Sequence, residues 1–457
     1  MEYGLHILCS FRCILFVFVF VFSCFRLSYC AIIEQLIKPK AAKSSGCDLF
    51  QGSWVYDDTY PLYNLSICPF IEPEFDCQRN GRPDKLYLKY KWKPNGCDLP
   101  RFNGEDLLRR IRGKKIMFVG DSLSLNQWQS LTCMIHAAVP NRHFSILRKD
   151  DLSTFTLQEY NISVMISRNA FLVDLVREKI GRVLKLDSIE NGKSWKGVDM
   201  LIFNTWHWWL HKGSRQPKRE PLLMQKPTKT RDYIKKGGEE QQASSPQEFG
   251  EEPNPRRRET QKKATKTEKH QQTNNRPITD QQKSTHRTAH LADSSSSKTK
   301  HHAALGQCHE GWDYIQKGHT IYQDMDRLSA FKEGLTTWSK WVNSNINPSV
   351  TKVFFQGISP THYDGTEWNE SNSTTCKGQR QPLSGSLYPG GLPPPVAVVK
   401  EVLHSMSSPV TLLDITTLSQ LRKDGHPSIY GIGGNKGNDC SHWCLAGVPD
   451  TWNLLLT

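Results

Sequence analysis

Long apolar runs are nearly absent from this chain of 457 residues. The main one, Cys13 to Phe25 between Arg12 and Arg26, holds about 13 residues, short of the ~20 that span a bilayer. It fits the apolar core of a secretory leader, with Ser28 and Cys30 before Ala31 as a tolerable cleavage site. Counting outward through Ile7 and Leu8 gives a short signal anchor instead. Residues 1–30 are therefore read as a signal peptide or a type II signal anchor, and either one delivers the remainder to the secretory lumen. The spaced cysteine pairs of zinc modules are also absent: Cys440-Ser441-His442-Trp443-Cys444 has the wrong spacing. No metal site is expected. No internal repeat occurs.

One long segment lacks large apolar residues. From about Lys218 to Gly311 the chain is rich in Lys, Arg, Gln, Thr, Ser and His and shows no sustained periodicity. Such a composition cannot bury enough surface to offset the entropy of ordering, so 218–311 is expected to be a disordered insertion, or non-native translated sequence such as a retained intron. Its 19 Lys and Arg against 12 Asp and Glu give +7, half of the whole-chain +14. A basic run with no fold, facing the lumen, carries no nucleic-acid role.

Thirteen cysteines suit an oxidising compartment. Setting aside those in the leader and Cys308 leaves Cys47, Cys68, Cys77, Cys97, Cys133, Cys376, Cys440 and Cys444. An even set of eight reads as four disulfides of undetermined pairing. Asn64, Asn161, Asn369 and Asn372 head Asn-x-Ser/Thr sequons, as a glycosylated lumenal protein would.

Chemistry concentrates in two fragments far apart in sequence. Lys114 to Val119 reads as a buried strand, and apolar residues at 125, 128, 131 and 134 recur at helical spacing. Gly120-Asp121-Ser122 thus lies at a strand-to-helix turn, where a serine hydroxyl and backbone N–H groups meet at the carboxyl edge of a sheet. Glycine is expected at 120 because a Cβ there would crowd the approaching acyl group. The bland alternative is that Asp121 or Ser122 only caps the helix. Near the other end, Asp439 precedes His442 by three residues, beside the Gly/Asn-rich run Gly431 to Gly437. A carboxylate at that offset can fix the imidazole tautomer and stabilise the imidazolium. Ser122, His442 and Asp439 are the expected nucleophile, base and orienter. His426 is the rival base, while His207, His362 and His404 are read as packing or substrate-contact residues.

Taken in order, Cys47-Asp48-Leu49-Phe50-Gln51-Gly52-Ser53-Trp54-Val55, Phe118 to Ser122, Asn126-Gln127-Trp128, Asn204-Thr205-Trp206-His207-Trp208-Trp209, Leu413-Asp414-Ile415-Thr416 and Asp439 to Cys444 resemble the plant trichome birefringence-like family. The resemblance implies a polysaccharide O-acetyltransferase with an SGNH/PC-esterase-type domain, working by double displacement through an acetyl-serine. It implies a Golgi membrane protein with a lumenal catalytic domain, where composition alone favours a cleaved leader and secretion to the cell wall. It also implies a disulfide tying Cys440 or Cys444 to distant chain. Asn204 resembles an oxyanion-hole asparagine, and Gly120, Asn126, Trp206, His207 and Trp208 join it as oxyanion or substrate candidates. Several family members carry arginine three residues after the serine; here Leu125 stands there.

The expected fold is α/β: a three-layer SGNH/GDSL-hydrolase-like domain over 101–457 with a mainly parallel sheet, flanked by a disulfide-rich, loop-dominated segment over 46–100. Strands are expected near 115–119, 162–166, 182–186, 199–203, 351–355 and 410–414, and helices near 123–136 and 319–346. Thr361-His362-Tyr363 and Trp368-Asn369 form a second candidate acceptor-contact loop. No bound cofactor is expected. The co-substrate would be an acetyl donor such as acetyl-CoA or an acetylated intermediate, and the partner a wall glycan: xylan, mannan, xyloglucan or pectin. The alternatives are a wall-polysaccharide acetylesterase and a non-catalytic wall-binding protein.

Overall fold

The computed structural model describes residues 47–211, 311–431 and 437–457. The leader (1–30), nearly all of the 218–311 segment and part of the Gly431–Gly437 run lie outside them. Among the described residues no helix is long and apolar enough to cross a membrane.

Among the described residues thirteen strands run in chain order: β1 (Asp48–Tyr56), β2 (Tyr90–Asn95), β3 (Lys115–Gly120), β4 (Phe144–Lys149), β5 (Leu152–Leu157), β6 (Ile162–Arg168), β7 (Asp174–Glu178), β8 (Gly181–Lys185), β9 (Met200–Phe203), β10 (Tyr314–Lys317), β11 (Thr320–Tyr322), β12 (Lys352–Gln356) and β13 (Thr411–Leu413). The helices are α1 (Gly104–Arg110), α2 (Ser122–Ala138), α3 (Arg327–Asn345), α4 (Pro395–His404), α5 (Thr416–Gln420) and α6 (Val448–Leu456).

The central sheet has the order β13-β12-β9-β3-β6-β5-β4. From β13 to β6 all neighbours are parallel; β5 and β4 extend one edge antiparallel. β3 shows why its run is continuously apolar. Ile116 and Phe118 enter one core with α2 and α6, while Met117 and Val119 enter a second with α3 and α4. A strand buried on both faces has no polar side to show. The result is the expected three-layer α/β fold.

Two local expectations need correction. Strand 182–186 exists as β8 but belongs to a separate four-stranded sheet, β11-β10-β8-β7. The helix expected from 319 begins only after Asp326, whose carboxylate accepts from the Ser329 N–H; residues 320–322 form β11 instead. An Asp cap ends the preceding structure as firmly as it starts the helix.

The 46–100 segment is mostly turns, but its ends pair as the antiparallel β1–β2. Gly52 is required there, since a Cβ would lie 2.2 Å from the Lys93 carbonyl oxygen. Trp54 anchors this pair by donating its indole N–H to the Leu418 carbonyl at 2.7 Å. Four disulfides consume all eight expected cysteines: Cys47–Cys97, Cys68–Cys133, Cys77–Cys444 and Cys376–Cys440.

Candidate active site

β3 is where the sheet changes direction of growth. The chain lays β6 on one side of it and later β9 on the other. The carboxyl end of such a strand opens into a crevice, the usual ligand position in open α/β sheets. Gly120 closes β3 there, Asp121 caps α2 through a 2.9 Å bond from the Leu123 N–H, and Ser122 is the first helical residue. The capping expectation is thus true of Asp121, which leaves the Ser122 hydroxyl available. Gly120 is needed for a different reason from the one expected. A Cβ would strike Ser124 Oγ at 2.4 Å and the Asn204 carbonyl oxygen at 2.5 Å, both protein atoms rather than an incoming acyl group.

His442 reaches this serine across the molecule. Ser122 Oγ and His442 Nε2 are 2.6 Å apart, and His442 Nδ1 lies 2.8 Å from Asp439 Oδ2. Asp439 Oδ1 accepts from the backbone N–H groups of Ser441 and His442 and from Ser441 Oγ. These bonds set the roles: the carboxylate holds Nδ1 as a donor, so Nε2 is the acceptor facing the hydroxyl. Burial works against charge on His442, but Asp439 outweighs it and holds the imidazole pKa above its ordinary value. Burial alone would likewise raise Asp439, yet His442 and the donors around it keep the carboxyl well below the usual range.

The base is held from behind. Asn126 accepts from the Trp443 N–H at 2.9 Å and donates to the Trp443 carbonyl at 3.1 Å. Both ends of its fully buried carboxamide are therefore engaged by the Trp443 backbone, which suits a residue that positions the base. His426, the rival base, is also occupied. Its Nδ1 donates to the His442 carbonyl at 2.6 Å, its Nε2 faces His362 Nδ1 at 2.6 Å, and its ring stacks on Trp443 at 4.0 Å. Burial keeps its pKa well below the ordinary histidine value. His362 is buried, with Nε2 donating to the Gln420 carbonyl. Trp368 is buried too, whereas Tyr363 and Asn369 of the second candidate acceptor-contact loop are exposed and Thr361 is partly buried. His404 sits exposed at the end of α4, so it is not a packing residue.

The Trp206–Trp209 run divides. Trp209 is core, its indole donating to Thr205 Oγ1. Trp206, His207 and Trp208 are only partly buried. His207 Nε2 donates to the Ser359 carbonyl at 2.9 Å, while Ser359 Oγ accepts from the Trp443 indole. Burial lowers the His207 pKa to about 4, and the nearby His442 adds to this, so His207 is neutral with Nδ1 left as an acceptor. Asn204 is 2 % exposed, its N–H held by the Val119 carbonyl and its Oδ1 without a partner among the described residues. A carboxamide at the carboxyl end of β9, one strand over from Ser122, suits an oxyanion donor. Leu125 is buried in the core beneath α2.

Residues 99–243 and 256–457 match the PC-esterase family, described as a GDSL/SGNH-like acyl-esterase family found in Pmr5 and Cas1p. The chain belongs to that family. Residues 45–98 match the PMR5 N-terminal domain, which accompanies it. The chain is 46 % identical over 418 residues to trichome birefringence-like 38 of Arabidopsis thaliana, covering 91 % of this chain and 84 % of that protein. It is 46 % identical over 414 residues to trichome birefringence-like 41 of the same plant, covering 90 % of each. Trichome birefringence itself is 32 % identical over 93 % of this chain and 58 % of its own length. This places the chain in the trichome birefringence-like group, whose PC-esterase domain is an acyl-esterase or acyltransferase scaffold.

Three charged residues near this PC-esterase site could not be read from the sequence, and one of them supports the catalytic loop directly. Arg82, 6 % exposed, donates to the carbonyls of His426 and Asp424 and so braces the catalytic loop from the N-terminal segment. Glu74 feels the charges of His442, Asp439 and Arg168, so both side chains lie in the electrostatic surroundings of the triad. No periodicity marks them: an arginine ending a strand and a glutamate between Pro73 and Phe75 look like ordinary surface charge.

Proposed function

We propose that this chain is a polysaccharide O-acetyltransferase that works through an acetyl-serine. The observation that carries the reading is the unbroken hydrogen-bonded series Ser122–His442–Asp439. Ser122 Oγ attacks the acetyl carbonyl of a donor while its proton passes to His442 Nε2; that proton then leaves with the donor's departing group. The Ser122 N–H and the Asn204 carboxamide would hold the developing oxyanion. A glycan hydroxyl next gives its proton to His442 and attacks the acetyl-serine, and the proton returns to Ser122. The half-open wall of Trp206, His207 and Trp208 offers flat faces and an acceptor atom to a sugar ring. Acetyl-CoA or an acetylated intermediate is the proposed donor, with xylan, mannan, xyloglucan or pectin as acceptor. The proposed site of action is the Golgi lumen, with the leader as membrane anchor; secretion to the wall is the alternative.

A second reading, wall-polysaccharide acetylesterase, rests on exposure. The side chains of His442 and Asp439 are each 26 % exposed, so water reaches the base when no glycan covers it. Incubating the purified protein with an acetyl donor and a panel of deacetylated glycans separates the two. Acetyl appearing on a glycan supports transfer, whereas acetyl release with no glycan product overturns it in favour of hydrolysis. A purely wall-binding role predicts that Ser122→Ala keeps full biological activity.

A further inference from the structure

Glu74 comes to the site from the N-terminal segment. That segment is pinned over the catalytic loop by the Cys77–Cys444 disulfide, by a 2.9 Å bond from the Leu445 N–H to the Phe75 carbonyl, and by packing of the Phe75 ring 5.8 Å from the His442 ring. Arg168 comes from β6, where it stands beside Gly120 in register at the carboxyl edge of the sheet. Ile162, Val164 and Ile166 of β6 pack into the core beneath α2, and strand alternation puts Arg168 on that same face. Both side chains are partly buried, and neither makes a hydrogen bond or close ion pair with a described residue. Burial raises the Glu74 pKa, with His442 and Arg168 pulling it back; the Arg168 charge acts in the same way on Asp121. A carboxylate and a guanidinium beside a reactive serine, each left with open bonding positions, are groups waiting for a polar ligand.

We propose that Glu74 and Arg168 form an acceptor subsite that reads the hydroxyl next to the one being acylated. A carboxylate oxygen accepts the proton of a sugar hydroxyl, and a guanidinium supplies donors for a ring or glycosidic oxygen. With one hydroxyl at His442 Nε2, its neighbour lies against Glu74, and the Arg168 charge opposes the effect of burial on that carboxyl. The substrate class is therefore a pyranose unit with a free vicinal diol. Acetylation of the second hydroxyl on the same ring is disfavoured, because the first acetyl removes the proton Glu74 accepts. Glu74 and Arg168 determine specificity and are not catalytic residues.

This deepens the acetyltransferase reading and rests on it. The test compares matched oligosaccharide acceptors, one with the diol and one with the neighbouring hydroxyl methylated, on the wild-type full chain and on Glu74→Gln, Glu74→Asp and Arg168→Gln. The wild type is expected to favour the diol by about tenfold or more in kcat/KM. Glu74→Gln and Arg168→Gln should shrink that preference to within about twofold, mainly by raising KM for the diol. If Glu74→Gln fails to fold by its thermal melt, Arg168→Gln carries the test, with Glu74→Asp as the conservative variant expected to retain part of the preference. A preference that survives the Gln substitutions, or rates that fall equally on both acceptors, overturns the subsite. Failure of the wild type to form an acyl-Ser122 adduct would instead overturn the reading beneath it.

Discussion

The nucleophile and the base are held in place by different means. Ser122 sits at the end of a central parallel strand, where the β3–β6 and β3–β9 pairings and the start of α2 fix it. His442 sits in a loop with no regular structure, fixed by Asp439, by the Asn126–Trp443 exchange, by His426 on its carbonyl and by two disulfides at Cys440 and Cys444. Topology positions one partner, and side chains and crosslinks position the other. Substitutions on the serine side should therefore act through chemistry alone, whereas those on the histidine side should couple chemistry to stability.

The sharpest test of that contrast is Ser122→Ala. It is expected to lower acyl transfer on the order of 10⁴-fold or more in a steady-state assay while leaving the melting temperature nearly unchanged. Asp439→Asn comes next, with a fall on the order of 10³-fold, since the amide no longer holds the required tautomer. Removing the Cys77–Cys444 crosslink with the pair Cys77→Ser and Cys444→Ser should cost about 2–5 kcal/mol in a denaturant titration and reduce activity through a looser loop. Asn126→Ala leaves buried backbone groups of Trp443 unpaired, for about 1–3 kcal/mol of stability and a smaller loss of rate. An Asn126→Ala protein with full activity and stability would break the proposed division.

The smallest expected effect is on the pH profile. Transfer requires neutral His442, and Asp439 raises the pKa of that imidazole. The rate should climb with pH through a midpoint above the ordinary histidine value. The same pair contributes to folding stability. The His442 share is complete below the unfolded histidine pKa and is lost as pH rises through the folded value. The Asp439 share is present above the ordinary carboxylate pKa and is lost as pH falls through its lowered value. Asp439→Asn should erase both slopes in pH-dependent unfolding.

What could be read from the sequence follows the same division. β3, β6, β9, β12 and β13 announce themselves as short apolar runs because both faces are buried. β4 and β5 do not, since they lie at an edge with many partly exposed residues. The small sheet was hidden for another reason: β8 pairs with β10 across the long basic interruption, a contact no local pattern reports. At the site, Ser122, Asp439 and His442 were legible because their spacing is local to two short fragments. Asn126 was legible as a motif residue but not in its role, because its partner is Trp443, 317 residues away. Arg82, Glu74 and Arg168 matter only through the fold that brings them to the catalytic loop.

The central claim is an acyl-serine formed by this triad, and mass spectrometry of the quenched protein after brief exposure to an acetyl donor tests it most directly. Acetyl should appear on the peptide containing Ser122, accumulate when glycan is withheld, be discharged when glycan is added, and be absent in His442→Ala. Acetyl transfer to glycan by Ser122→Ala at the wild-type rate, with no adduct on that peptide, would contradict it.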